Sequence, residues 1–414
     1  MWPFSLLFGD STSRTKESRV GLRNTGNTCF LNAVLQTLAS SSSLLRLLEA
    51  QDGSLSYELL VVLKAVKGEG VCKGTPSPER IVKELSKHER WIAFGGQEDA
   101  DEALTLILSI LDKEREVWLD TQGFSVQEER LLRPSMYFHS QAGILMGDTS
   151  SSPSRADNPF ECRVGTTKVC TRCRQTSDRL LTNTPTLALP VVGHTTLSQC
   201  LNAYLATEDL DDIFCDHCTA SVVRAAYEQL GRDARSPELV NLGVTGGTDS
   251  YLHEEFYESA QCKILLQKSG LSRVACPATR VIQLLSLPTS LILKLQRETF
   301  DSWSGTTRKL THTVTYPSQL GFLYREGGGY CQCESISMAN VVYRLDAVVK
   351  HLSVKGNANQ GHYVCIVRDT HDDGWHAVSD HNVWVVPGPV DNGDTVLLLF
   401  NQVDGETVEK NVDV

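Results

Sequence analysis

The 414-residue sequence has no excess of positive charge. Its 39 Lys and Arg stand against 50 Asp and Glu, a net charge of −11. That balance argues against a general attraction to nucleic acid or anionic lipid, and any acidic site it contains should prefer a basic partner. Nor does the N-terminus carry a run of membrane length: "MWPFSLLF" is apolar for eight residues, against the roughly 20 needed to span a bilayer. No secretory signal precedes the cysteines, which number 13, an odd count at irregular spacing. A disulfide framework is therefore not expected, and a reducing, intracellular compartment is. No internal repeat is visible.

What is present is 41% hydrophobic and 21% charged residues, the composition of a soluble globular protein. The length suits one large domain with excursions, or two or three ordinary ones. Residues 1–18 read as a flexible lead-in and 404–414 as a flexible tail. From Phe30, the residues Leu31, Val34, Leu35 and Leu38 recur at the spacing of an amphipathic helix. "SSSLLRLLEA", "YELLVVLKAV", "SPERIVKELSKH" with Ser77 as N-cap, and "GGQEDADEALTLILSILDKE" add further helices. Beyond about residue 160 the pattern becomes short alternating apolar runs, among them "TLALPVV", "NVVYRLDAVVKHL", "GHYVCIVRD" and "NVWVV". These read as strands of a mainly antiparallel sheet. The stretch "SQAGILMGDTSSSPSRADN" and residues 231–260 read as surface loops.

"GLRNTGNTCFLNAVLQTLAS" places Cys29 at the start of the first helix. The thiolate is the nucleophile, and a free thiol is mostly protonated at neutral pH. A helix N-terminus offers it a positive dipole end and unpaired N–H groups, which also suit an oxyanion. Asn24 carries an amide donor that a turn at Gly26 brings to the same spot. Taken alone, Cys29 reads first as a small buried residue at a helix start. A base has to be found.

"HLSVKGNANQGHYVCIVRDTHDDGWHAVSDHNVWVV", residues 351–386, supplies one. His362 follows Gly361, which permits close backbone approach, and the turn "THDDG" returns the chain so that a polar residue near 379 becomes a cross-strand neighbour. A lone strand histidine is more often structural, and His351, His376 and His381 are read that way. Ser379 and Asp380 are adjacent in a strand and should point to opposite faces.

"GLRNTGNTCFLNAVLQTL" resembles the cysteine box of the ubiquitin-specific proteases, and "GHYVCIVRD...GWHAVSDHNV" resembles their histidine box. "GGQEDADEAL" is similar to the family's glutamine box and "LPTSLILKLQRE" to its leucine-rich strand, all in the family's order between about 20 and 403. The resemblance implies an α+β, papain-like fold. A helical thumb would span about 19–135, zinc-bearing fingers would lie within about 160–285, and the palm sheet would lie mainly at 285–403. It implies Cys29 as nucleophile, His362 as base and Asn24 as oxyanion donor. The third triad position falls on Ser379, with Asp380 beside it, where the family usually has Asn or Asp. In this it resembles the family's mitochondrial outer-membrane branch, as does "LQRETFDSWSG". A neutral hydroxyl fixes an imidazole tautomer but stabilises imidazolium less than a carboxylate does. The expectation is that Ser379 orients His362 while Asp380 holds donors or waters near the oxyanion site.

Asp99 and Glu102 are three apart and share a helix face. On their own they read as a solvated helix start. Under the resemblance they match acids that contact the arginines of the ubiquitin tail, with Gln97, Gly361 and Tyr363 as further substrate-binding positions. Asp101 and Ala103 stand where the family often has His and a bulky apolar residue.

"CTRC" and "CDHC" give two CxxC pairs, Cys170 with Cys173 and Cys215 with Cys218, with 41 residues between them. Four such thiols suit a closed tetrahedral zinc site. Redox use is disfavoured because neither pair lies at an evident strand-to-helix junction, and His217 is a spare ligand that four cysteines make unnecessary. The other cysteines, Cys276 among them, are assigned to packing or surface. The expected protein is thus a cysteine deubiquitinase with one structural zinc and no catalytic cofactor, acting on ubiquitin and ubiquitinated proteins and on no nucleic acid. It is expected in the cytosol or at the cytosolic face of the mitochondrial outer membrane. The competing reading is a pseudoenzyme that grips ubiquitin without turnover, against which the intact Cys29, His362 and Asn24 argue.

Overall fold

The computed structural model describes residues 19–69, 74–89, 99–121, 158–177, 179–229, 272–301, 306–326, 328–353, 361–369 and 373–403. Gln97, both termini and the greater part of the two long loops lie outside the described residues.

Helices fill the described residues as far as Thr121: α1 (Cys29–Leu38), α2 (Ser42–Ala50), α3 (Ser54–Val66), α4 (Glu79–Leu85) and α5 (Ala100–Thr121). The Ser41 hydroxyl caps α2 by accepting from the Leu44 N–H at 3.1 Å. Ser77 is not the cap residue of α4: Pro78 is, and the Ser77 hydroxyl accepts from Glu79 N at 3.4 Å instead. The larger departure is α1. It reads as amphipathic, yet all ten of its residues are buried, because it lies between the other helices and the sheet. Its polar residues make specific bonds there. Gln36 Nε2 donates to Val20 O at 2.7 Å, and Asn32 Nδ2 donates to Asp380 Oδ1 at 2.8 Å.

The strands are β1 (Cys162–Cys170), β2 (Leu180–Thr184), β3 (Leu187–Pro190), β4 (Thr195–Thr196), β5 (Glu208–Phe214), β6 (Ala275–Ser286), β7 (Ser290–Gln296), β8 (Glu298–Asp301), β9 (Thr306–Lys309), β10 (Val314–Thr315), β11 (Gln319–Arg325), β12 (Gly329–Cys333), β13 (Val341–Ser353), β14 (Gly361–Arg368), β15 (Trp375–Ser379), β16 (Asn382–Val386) and β17 (Thr395–Val403). Two helices interrupt them where the sequence reads only strands and loops: α6 (Leu197–Leu205) and α7 (Asp216–Gln229). A capping box in "TTLSQ", Thr196 with Gln199, starts α6.

One large sheet runs β16-β15-β14-β13-β11-β12-β6-β1-β2, with β17 on the other edge of β13 and β7 beyond it. Within it β3 joins β7 in parallel, and the other described pairings are antiparallel. The central strands β13, β14 and β17 are not half-buried alternations but carry runs of four to seven successive buried residues, because both faces are covered. On one face Ala347, Val349, Cys365, Val367, Leu397 and Leu399 pack with α1–α5. On the other, Val348, Ile366, Leu398 and Phe400 pack with Leu187, Leu189, Leu197 and Leu201 from β3 and α6. Residues 187–205, inside the 160–285 range within which the fingers are expected, pack in the core beneath the palm. The fingers proper are β1, β2, β5, β6 and α7, and the architecture is the expected thumb, palm and fingers.

Candidate active site and four-cysteine cluster

Cys29 opens α1 at the seam between the thumb helices and β14, with 5% of its surface exposed. The turn before it needs left-handed backbone at Gly26 (φ 95°) and Asn27 (φ 58°). Asn24 braces this turn, its Oδ1 accepting from the backbone N–H of Gly26 at 3.2 Å and of Thr28 at 3.1 Å. Burial pushes the Cys29 thiol up. The Tyr363 backbone N–H, which reaches its sulfur, pulls it down, and the Asp380 charge pushes it up again. Tyr363 is the neighbour of His362, so the thiol sits directly against the strand segment that carries the candidate base.

His362 Nε2 lies 2.7 Å from Ser379 Oγ and 3.9 Å from Asp380 Oδ2. With Nε2 so engaged, Nδ1 is the ring nitrogen left for another partner. Burial pushes the imidazole down and Asp380 pushes it up. The register pairs Cys365 with Val378, so Ser379 reaches His362 along the hairpin diagonal rather than from directly opposite. The expectation that Ser379 and Asp380 face opposite ways fails: β15 ends at Ser379, and Asp380 turns to φ 52°. Strand alternation stops there, and both side chains reach the same imidazole.

Asp380 also anchors the other side of the site. Its Oδ2 accepts from Asn24 Nδ2 at 3.0 Å and its Oδ1 from Asn32 Nδ2 at 2.8 Å. Its carbonyl accepts from Leu22 N at 2.8 Å. That backbone approach requires Gly21, where a Cβ would lie 2.5 Å from Asp380 O.

Asp99, ahead of α5, accepts from Asp101 N through Oδ1 at 2.6 Å; Glu102 is exposed in the helix's first turn. Asp101 pairs with Lys294 of β7 at 2.5 Å, a contact the sequence does not announce. The Tyr363 ring is buried and stacked on His351, centroids 4.4 Å apart at 11°. Its hydroxyl accepts from the Ala100 N–H, so the ring ties α5 to β14, and its backbone N–H is the part that faces the cleft.

In the fingers, the Sγ atoms of Cys170, Cys173, Cys215 and Cys218 all lie within 4.8 Å of one another. Cys170 and Cys218 are 3.9 Å apart, and Cys173 and Cys215 are 3.6 Å apart. Tetrahedral zinc with Zn–S near 2.3 Å requires about 3.8 Å between sulfurs, so the donor set fits one zinc ion. Exposed His217 is not part of the cluster. One sequence argument fails here: Cys215 directly follows β5 and Cys218 lies in the first turn of α7, so the second pair does sit at a strand-to-helix junction. The gathering of all four thiols, rather than their position, is what favours a metal.

The profile of the family described as "Ubiquitin carboxyl-terminal hydrolase" matches residues 20–400. "Ubiquitin carboxyl-terminal hydrolase 27" of Arabidopsis thaliana is 26% identical over 92% of this chain and 84% of its own length. "Ubiquitin carboxyl-terminal hydrolase 30" of Xenopus tropicalis is 30% identical over 52% of this chain and 46% of its own. Among solved structures, the SAGA Ubp8/Sgf11/Sus1/Sgf73 DUB module bound to ubiquitin aldehyde contains a chain with a TM-score of 0.59 and 17% identity, the match covering 95% of this chain and 72% of that one. This last likeness is one of fold. With nearly the whole sequence matched by one family profile, the chain belongs to the ubiquitin carboxyl-terminal hydrolase family.

Proposed function

We propose that this chain is a cysteine-type deubiquitinase that hydrolyses the bond after the C-terminal glycine of ubiquitin, with Cys29 as nucleophile and His362 as base. The observation that carries the assignment of residues is the convergence at one seam of Cys29 at a helix start, the His362–Ser379 contact at 2.7 Å, and Asn24 held by Asp380 at 3.0 Å.

Burial raises the thiol and lowers the imidazole, so burial favours the neutral form of each. The Cys29 proton passes to His362 Nδ1 as the sulfur attacks the glycine carbonyl. The Asn24 amide and the N–H groups at the start of α1 receive the oxyanion. His362 then protonates the leaving lysine amine and activates the water that resolves the acyl-enzyme. Ser379 fixes the ring through Nε2, and Asp380, farther from the same nitrogen, supplies the negative charge that a hydroxyl lacks. Asp99 and Glu102 take the basic residues of the ubiquitin tail, and Gly361 lets the tail approach the β14 backbone. The four cysteines hold one structural zinc, which when bound ties the two knuckles of the fingers together.

The serine at the third position and the relatives named hydrolase 30 support placement in the mitochondrial outer-membrane branch. Among the described residues no helix is long and apolar enough to cross a membrane. Fractionation of tagged protein tests this placement; a wholly soluble product refutes membrane anchoring.

The experiment for the activity is reaction of zinc-loaded protein with ubiquitin bearing a C-terminal electrophile. Wild type is captured covalently, Cys29→Ala is not, and His362→Ala is captured slowly. Folded wild type that binds ubiquitin without capture would overturn the catalytic assignment.

A further inference from the structure

One buried thiol in the fingers belongs to neither the core of the palm nor the four-cysteine set. Cys276, on β6, is 2% exposed and packs with Cys170 and Cys218, with Cys173 and Cys215 alongside. Its side chain lies in the same packed cluster as that of Cys218.

Its place follows from the course of β6 between the two knuckles. On one flank Cys170 stands opposite Ala278, and Thr171 N donates to Pro277 O at 3.0 Å. On the other, Ile213 stands opposite Cys276, and Cys215 N donates to Val274 O at 3.0 Å. Both knuckles are therefore hung on the backbone around Cys276, and its sulfur lies against one of the four ligands.

We propose that Cys218 and Cys276 form an oxidation site in which Cys276 is the resolving thiol and disulfide formation releases the metal. The inference rests on the zinc reading above. The oxidant is a small hydroperoxide, and the partly exposed Cys173 and Cys215 mark the side from which it enters the cluster. The Cys218 thiolate attacks the peroxide O–O bond, giving a sulfenic acid and, from hydrogen peroxide, hydroxide. Cys276–SH then displaces the sulfenic oxygen, forming the S–S bond and releasing water. Two electrons pass from the sulfur pair to the peroxide. Cys276 is favoured over a knuckle partner because it is not a metal ligand: every other nearby thiol must leave zinc before it can close a disulfide. Oxidation removes one ligand of a closed four-thiolate site, leaving three and an open position.

The test uses the full chain. Zinc is first quantified in purified protein, and a preparation with no bound zinc overturns the zinc reading and this one with it. Zinc-loaded protein is then treated with hydrogen peroxide, released zinc is read with a chromophoric chelator, and disulfides are mapped by mass spectrometry without reduction. Wild type is expected to release one zinc per chain with a Cys218–Cys276 crosslink, and to rebind zinc after thiol reduction. Cys276→Ala and Cys276→Ser, each verified to bind zinc beforehand, are expected to lose the crosslink and release zinc several-fold more slowly. Release at the wild-type rate in both variants, with crosslinks confined to the Cys170/Cys173 and Cys215/Cys218 pairs, would overturn the proposal while leaving the zinc site intact.

Discussion

Replacing Asp380 by alanine should reduce kcat/KM about 10²–10³-fold, mainly by loosening Asn24, because that is the cost of losing one oxyanion donor. The Asn24 amide is exposed and has two anchors: its oxygen on the Gly26 and Thr28 N–H groups, and its Nδ2 on the Asp380 carboxylate. Without Asp380 the turn is still braced, but the donor group no longer has a fixed direction. The carboxylate also acts on His362 from 3.9 Å. At an effective dielectric near 20, a full imidazolium charge at that separation is worth about 4 kcal/mol, but both carboxylate oxygens already accept amide hydrogen bonds, which tempers the field. The two routes separate in a double-mutant cycle. If Asp380 works through Asn24, then Asn24→Ala, Asp380→Ala and the double variant lose similar activity. If it works through His362, the losses multiply to about 10⁴ or more. The assay is hydrolysis of a fluorogenic C-terminal amide of ubiquitin. Rates are corrected for active fraction, because Asn32 in α1 also loses its shorter hydrogen bond and keeps the one to Arg23 O at 3.3 Å, and a lost hydrogen bond costs about 1 kcal/mol of stability. Multiplicative losses, or near wild-type activity in Asp380→Ala, would refute the reasoning. A Ser379→Ala variant with nearly full activity beside a dead Asp380→Ala would transfer the orienting role to the aspartate.

Three other perturbations have defined outcomes. Gly361→Ala places a Cβ 2.4 Å from His351 Nε2 and 2.6 Å from Leu352 O; β14 must shift and carry His362 with it, and turnover should fall about 10²-fold, measurable with the same substrate in protein shown to be folded. His351, 4% exposed, is pushed down to about 4 by burial, with Lys309 and His362 adding to the shift. The unfolded chain therefore binds a proton that the folded chain does not, and stability should fall by about 3 kcal/mol as pH drops from about 6.5 toward 4. His351→Phe, which keeps a ring against Tyr363, should lose that component of the pH dependence in denaturant titrations; an unchanged profile would show the acid sensitivity to lie elsewhere. Arg297 and Asp391 form an ion pair at 2.5 Å with each side chain 1% exposed, so Arg297→Met should cost about 3–5 kcal/mol, seen as a lower denaturation midpoint, whereas a loss under 1 kcal/mol would mean that water reaches Asp391.

The helical first third, the later strands, the candidate cleft residues and the four clustered cysteines are legible in the sequence, because each is carried by local signals: a helix start at Cys29, a strand opening at His362, two CxxC spacings; α6 and α7, among the strands, are not read from it. What is not legible depends on faces meeting. The polar positions Asn32 and Gln36 of α1 lie four apart and read as a solvated side, yet they are the residues that clamp the segment 20–23 and the Asp380 turn. Periodicity reports polarity, and it cannot tell water from a buried partner. The continuous burial along β13, β14 and β17 similarly depends on which layers cover the sheet, so the expected alternation fails where a second core forms beneath β3 and α6.

The expectation that Ser379 and Asp380 face opposite ways fails for a more local reason. A period of two holds only while backbone stays extended, and one left-handed residue resets it. Asp tolerates φ near 52° better than most side chains, so the identity of residue 380 serves twice, once in its backbone and once in its carboxylate. That turn lets a single side chain touch the oxyanion-donor candidate 356 residues earlier while standing beside the candidate base. The candidate site's two halves, one from each end of the matched family region, are therefore joined through Asp380, and under the proposed mechanism the neutral serine 2.7 Å from the imidazole need not also carry the charge.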